Sequence, residues 1–118
     1  MRIDMDEKLS LIVKACNDKK GFDIKVLDLR DLTTITDYFV IVSGNSTTQV
    51  AAIADEIEEK LEEAGFELLG KEGYREARWV LLDYGSVVAH VFHKEDREFY
   101  NLEKLWADSE ELTLENIQ

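Results

Sequence analysis

Apolar residues recur at Met5, Leu9, Ile12, Val13 and Cys16, a spacing that gathers them on one side of a helix, and Gly21 ends the pattern. Asp4 with Glu7 three positions on reads as its cap. Ile24 to Leu29 alternates loosely and predicts a strand, Asp31 to Thr36 is a short polar connection, and Tyr38 to Val42 is a second, more apolar strand. Ser46 followed by Gln49 fits a capping box, and Val50, Ile53, Ala54, Ile57, Leu61 and Ala64 form a helical stripe closed by Gly65. Phe66 to Leu69 reads as a short third strand. Strand, helix and strand in succession then predict a crossover with parallel pairing, followed by a polar loop from Gly70 to Ala77.

Trp79 to Asp83 and Val87 to His93, joined by Tyr84, Gly85 and Ser86, predict a hairpin. Glu95 and Asp96 open a last helix with Phe99, Leu102, Leu105 and Trp106 on its inner side. The order αββαβββα describes one α/β domain, of the α+β kind with a mixed sheet, over residues 1–107, and the acidic stretch 108–118 is expected to be a frayed tail.

The hairpin departs from the alternation of a strand with one wet face. Trp79, Val80, Leu81 and Leu82 are consecutive, and Val87, Val88 and Ala89 repeat the pattern, so both of its faces call for cover. Three helices cover both faces of a five-stranded sheet thinly, which leaves an apolar face for another chain. Trp79 and Tyr84 are of the residue types that anchor interfaces.

Charge selects among partners. Lys and Arg number 14 against 26 Asp and Glu, a net charge of −12 that repels nucleic acid and anionic lipid, so a basic protein is the expected partner. Asp83 and Glu95 would attract its cations. No stretch reaches the roughly 20 apolar residues of a membrane span, and MRIDMDEKL lacks the pattern of a signal peptide, so a cytoplasmic location is expected. Cys16 is expected to pack in the core, and DEIEEKLEE, Asp55 to Glu63, to be a solvated helix face.

The stretch FVIVSGNSTTQV, Phe39 to Val50, poses the question of an enzyme, because a glycine turn opening a helix offers free N–H groups to an anion. No basic residue lies between Gly44 and Gln49, as a P-loop would require, and Ser46 stands outside any G-x-S-x-G. A nucleotidyltransferase needs clustered carboxylates for two metal ions, whereas the strand after the helix offers only Glu67, and Asp4 and Asp6 are better read as caps. His90 and His93 fall on opposite faces of a strand, so a hydrogen-bonded structural histidine is expected and a shared metal is not. No cofactor is expected. A nucleotide-binding or nucleotidyltransferase-like enzyme using Ser43 to Ser46 stands as the alternative to a binding module.

DYFVIVSGNS from Asp37 to Ser46, WVLLDYGSVVAHVF from Trp79 to Phe92 and REFYNLEKLW from Arg97 to Trp106 together resemble the ribosomal silencing factor family, also called Iojap-like proteins. The likeness runs from the first helix to Trp106. It departs at Ser86, where members often carry an acid, and at Ala89, where a larger β-branched residue is common. The resemblance implies a nucleotidyltransferase-like fold without catalytic carboxylates, and hence no enzymatic activity. It also implies a homodimer when free, and binding to the large ribosomal subunit through that subunit's protein fourteen. Such binding blocks the small subunit sterically and lowers translation when nutrients are scarce. The family's contact residues map onto Trp79 and Tyr84, with Asp83 and the region of Glu95, Glu98 and Tyr100 beside them.

Overall fold

The structure, a computed structural model, describes residues 7–112. The cap expected at Asp4 and the first apolar position, Met5, lie outside the described residues. Helix α1 spans Glu7–Asp18 and buries Leu9, Ile12, Val13 and Cys16, the face that the spacing predicts. Strands β1 (Phe22–Asp28) and β2 (Tyr38–Gly44) follow. Helix α2 (Thr47–Glu63) buries Val50, Ile53, Ala54, Ile57 and Leu61. Strands β3 (Gly70–Glu72), β4 (Trp79–Asp83) and β5 (Val87–His93), helices α3 (Lys94–Tyr100) and α4 (Leu102–Leu105), and strand β6 (Glu110–Leu112) complete the described residues.

The six strands form one mixed sheet in the order β3-β4-β5-β2-β1-β6. Only β2 and β5 run parallel, from Tyr38 opposite Val87 to Gly44 opposite His93. A parallel pair does follow the connection through α2, but its second strand is β5 rather than the one next in sequence. The segment after α2 is the reason. Phe66 and Leu68 pack against the core without joining a ladder, and pairing begins one step later, with β3 antiparallel to β4. The strand expected at Phe66 to Leu69 therefore lies at Gly70–Glu72, inside the stretch expected to be a loop.

Helices α1 and α2 cover one face of the sheet. Val40, Val42, Val80, Leu82, Val87, Ala89 and Val91 meet the buried stripes of both helices there, and Cys16 is fully buried among them. Burial pushes its thiol up to about 12, as expected of a packed rather than a reactive cysteine. Gly21 permits the close approach at the end of α1, since a Cβ there would lie 2.5 Å from Val42 Cγ2. The N-terminus of α2 is half a capping box: Ser46 Oγ accepts from the Gln49 amide at 3.1 Å, while Gln49 Oε1 accepts from Asn45 N at 2.6 Å rather than from Ser46. Gln49 Nε2 donates to the carbonyls of Lys19 and Lys20, which ties α2 to the end of α1.

The opposite face carries a smaller cluster of Leu27, Leu29, Ile41, Phe92 and Leu102, with Phe39, Trp79 and Trp106 only partly buried. Two expectations fail here. The last helix is broken at Asn101, whose left-handed backbone (φ 47°) ends α3 and starts α4. The break turns Phe99 (81 % exposed) and Leu105 (75 % exposed) outward, and of the four residues expected inside, only Leu102 is buried. The stretch from 108 is also not a frayed tail over its described part, because Glu110–Leu112 pairs antiparallel with Val26–Asp28. Leu112 packs on the core, which is what holds that strand in place.

Candidate functional site

The face turned away from α1 and α2 is built by alternation. In β4, Val80 and Leu82 point into the core, so Trp79, Leu81 and Asp83 point to the other side and are each half-buried. In β5 all seven residues are buried, which places His90 and Phe92 beneath Trp79. Trp79 stacks on Phe92 with ring centroids 4.9 Å apart, and Tyr100 of α3 leans on Trp79 at the same distance. Phe39 meets His90 edge-on at 4.4 Å and Trp106 at 5.7 Å. The result is a continuous aromatic surface from Trp106 to Tyr100, with Phe99 and Leu105 exposed at its margin.

Trp79 is oriented by a hydrogen bond from its Nε1 to His90 Nδ1 at 3.0 Å. His90 is thus the hydrogen-bonded structural histidine expected from the strand pattern. Burial drives its pKa down to about 4, so the ring is neutral and carries its proton on Nε2. His93 caps α3, its Nδ1 accepting from Glu95 N at 3.2 Å.

The residues singled out in the sequence do not gather at one spot. Trp79, Glu95, Glu98 and Tyr100 share the end of the sheet where β4 begins and α3 starts, while Asp83 and Tyr84 lie at the far end of the hairpin. Glu98 is exposed, Tyr100 is half-exposed, and Glu95 reaches Arg78 at 3.5 Å while remaining largely in solvent. Asp83 organises the turn, its Oδ1 accepting from Gly85 N at 2.8 Å. Tyr84 departs from the expectation of a contact residue. It is 3 % exposed in the core beneath α1 and α2, because it continues the alternation that turns Val80 and Leu82 to the helix side. Burial first, then the charges of Glu58 and Glu62, push its hydroxyl up to about 12.

Phe39, Leu81, Phe99, Leu105 and Trp106 complete the surface and were not singled out as contacts. Alternation within the strands marks Phe39 and Leu81, but Phe99 and Leu105 depend on the break at Asn101, which their helical spacing hides.

The Ser43 to Ser46 turn faces its own chain. Ser43 is buried and its Oγ accepts from Arg97 Nη1 at 2.9 Å, while Gln49 Oε1 takes the Asn45 amide and Ser46 Oγ takes the Gln49 amide. An open cleft of about 510 Å³ lies beside it, lined by acids and bases together: Asp23, Glu95, Glu98 and Glu103 with Lys94 and Arg97. Among the described residues no group of three or more His, Cys, Asp or Glu is placed to hold a metal ion. Nor is any described helix long and apolar enough to cross a membrane.

Comparison with known proteins identifies the family. The family model described as "Ribosomal silencing factor during starvation" matches residues 2–118. The Ribosomal silencing factor RsfS of Halalkalibacterium halodurans is 48% identical over 111 residues, which cover 94% of this chain and 95% of that one. A mouse relative, "Mitochondrial assembly of ribosomal large subunit protein 1", is 33% identical over 101 residues, covering 83% of this chain and 44% of its own length. The crystal structure of a Chromobacterium violaceum protein superposes with a TM-score of 0.85 at 38% identity, covering 89% of this chain and 88% of that one.

Proposed function

Because the chain belongs to the ribosomal silencing factor family, we propose that it represses translation by seating its aromatic sheet face on protein fourteen of the large ribosomal subunit, where it obstructs the small subunit. The observation that carries this reading is the half-buried Trp79 face, left open by α1 and α2 and rimmed by the exposed acids Glu95 and Glu98, on a molecule of net charge −12. Apolar burial supplies the affinity, and the acidic rim selects a basic protein over bare RNA. The work is steric and calls for no catalysis or cofactor; the hydroxyls of Ser43 and Ser46 are engaged within the chain, by Arg97 and by the Gln49 amide. It takes place in the cytoplasm, and two copies of the free chain pair as a homodimer.

Co-sedimentation with purified large subunits tests it. The wild-type chain is expected to pellet with large subunits and to suppress their joining with small ones. Trp79→Ala should weaken binding by about 2 kcal/mol or more while the chain stays folded, and the surface reversal Glu98→Lys should weaken it less, chiefly by slowing association. Subunits that join normally at saturating protein would sink the occlusion mechanism. Calorimetric binding of ATP or CTP with Mg²⁺ would revive the enzyme.

A further inference from the structure

Helix α3 has an unusual attachment. Phe99 faces solvent, Tyr100 is half-exposed against Trp79, and the helix's one buried side chain is Arg97, 8 % exposed. A seven-residue helix is too short to hold itself together in water, so its position is set by what it is tied to. Arg78 pairs with Asp96 at 2.6 Å and Tyr100 leans on Trp79, and Arg97 adds buried ties to three separate elements. Its Nη1 donates to the Asp23 carbonyl of β1 and to Ser43 Oγ of β2, and its Nη2 donates to Glu103 Oε2 of α4 at 3.2 Å.

The backbone on both sides is shaped for this one guanidinium. The pairing of β1 with β2 slips between Phe22 and Lys25, and within that irregularity Asp23 adopts φ 52°. A bulge frees a carbonyl from the ladder and redirects it, and here the freed carbonyl is the one Arg97 binds. On the other side Asn101, at φ 47°, folds α4 back so that Glu103 returns to the same arginine. Two of the four non-glycine residues with positive φ among the described residues thus serve Arg97. Left-handed backbone away from glycine persists only where surrounding contacts hold it.

We infer that Arg97 is a positioning residue for partner binding: it latches α3 and α4 as a platform that presents Phe99, Tyr100 and Leu105 beside Trp79. This rests on the docking role proposed above, and the partner is the same basic protein surface of the large subunit. The latch is polar and sits where β2 ends beside the β1 bulge, outside the apolar cluster beneath α1 and α2. Loosening it therefore disorders the platform and spares the fold. Lysine cannot replace it, since a single ammonium does not span three acceptors in a fixed fork.

The test compares wild type with Arg97→Gln, Arg97→Lys and the milder Glu103→Gln by amide hydrogen exchange, thermal melting and co-sedimentation with purified large subunits. Exchange over residues 94–106 is expected to rise ten-fold or more in both Arg97 variants and less in Glu103→Gln, with α1 and α2 unchanged. Large-subunit affinity should fall about ten-fold in both Arg97 variants at a nearly constant melting temperature. Local exchange at wild-type rates would overturn the latch. Loosened exchange with undiminished affinity would overturn its role in docking, as would loss of affinity only in step with global unfolding. A wild-type chain that ignores large subunits would instead overturn the ribosome reading, and the exchange measurement would still decide the latch.

Discussion

His90 sits on the central strand, 3 % exposed, between the rings of Phe39 and Phe92, and accepts a hydrogen bond from Trp79. A neutral imidazole in that place has a consequence for stability. The folded chain protonates His90 only near pH 4, whereas the unfolded chain does so near its ordinary value of 6.5. Between these values the unfolded state holds more protons, so stability is complete above pH 6.5 and declines as the pH falls toward 4. Urea unfolding at pH 5 is expected to show a loss of about 2 kcal/mol relative to pH 7.5. His90→Gln should flatten that difference. An equal pH dependence in the variant would mean that other groups carry it. The histidine's role was legible in the strand pattern, but its partner was not, because Trp79 lies across the hairpin.

At the scale of elements, local chemistry and tertiary cover divide the outcome. Helix α2 was legible because its cap, its stripe and its terminal Gly65 all agree. Its cap can be tested alone. Ser46→Ala removes the bond to the Gln49 amide and should cost about 1 kcal/mol. A thermal melt would register this as a fall of about 4 °C. A change within error would mean that the bonds from Gln49 to Lys19 and Lys20 hold the end by themselves. The hairpin was legible as well, to the residue, since two dense apolar runs flank a glycine turn. The last helix was not. Its spacing from Phe99 to Trp106 suits one amphipathic helix, whereas Asn101, a residue type that takes the left-handed conformation readily, ends α3 and Glu103 returns to Arg97. Strand β6 was hidden for a related reason, as Glu110 and Glu111 carry no β signal and pair only because β1 offers an edge.

Across the whole molecule, charge and shape act together. With a net charge of −12 and its acids spread over helix faces and the rim of the aromatic surface, the protein attracts a basic partner over roughly 10 Å at ordinary ionic strength. Its association rate with large subunits should therefore fall about ten-fold or more as salt rises from about 0.05 M to about 0.5 M, with a smaller change in dissociation. Stopped-flow binding at several salt concentrations would measure this, and a salt-independent rate would remove electrostatic steering from the mechanism.

The sequence by itself determined the elements whose signals are local: the two long helices, the hairpin and the need to cover both its faces. Its motifs also carried the family, and membership is confirmed over residues 2–118. Only the tertiary structure decided that Tyr84 turns inward while Trp79 stays half-open, and that Ser43 serves an arginine 54 positions away. The physical reason is range. Periodicity and capping act within a few residues, whereas the face of a sheet that is left uncovered, and the side chains that share a guanidinium, depend on which distant segments pack beside them.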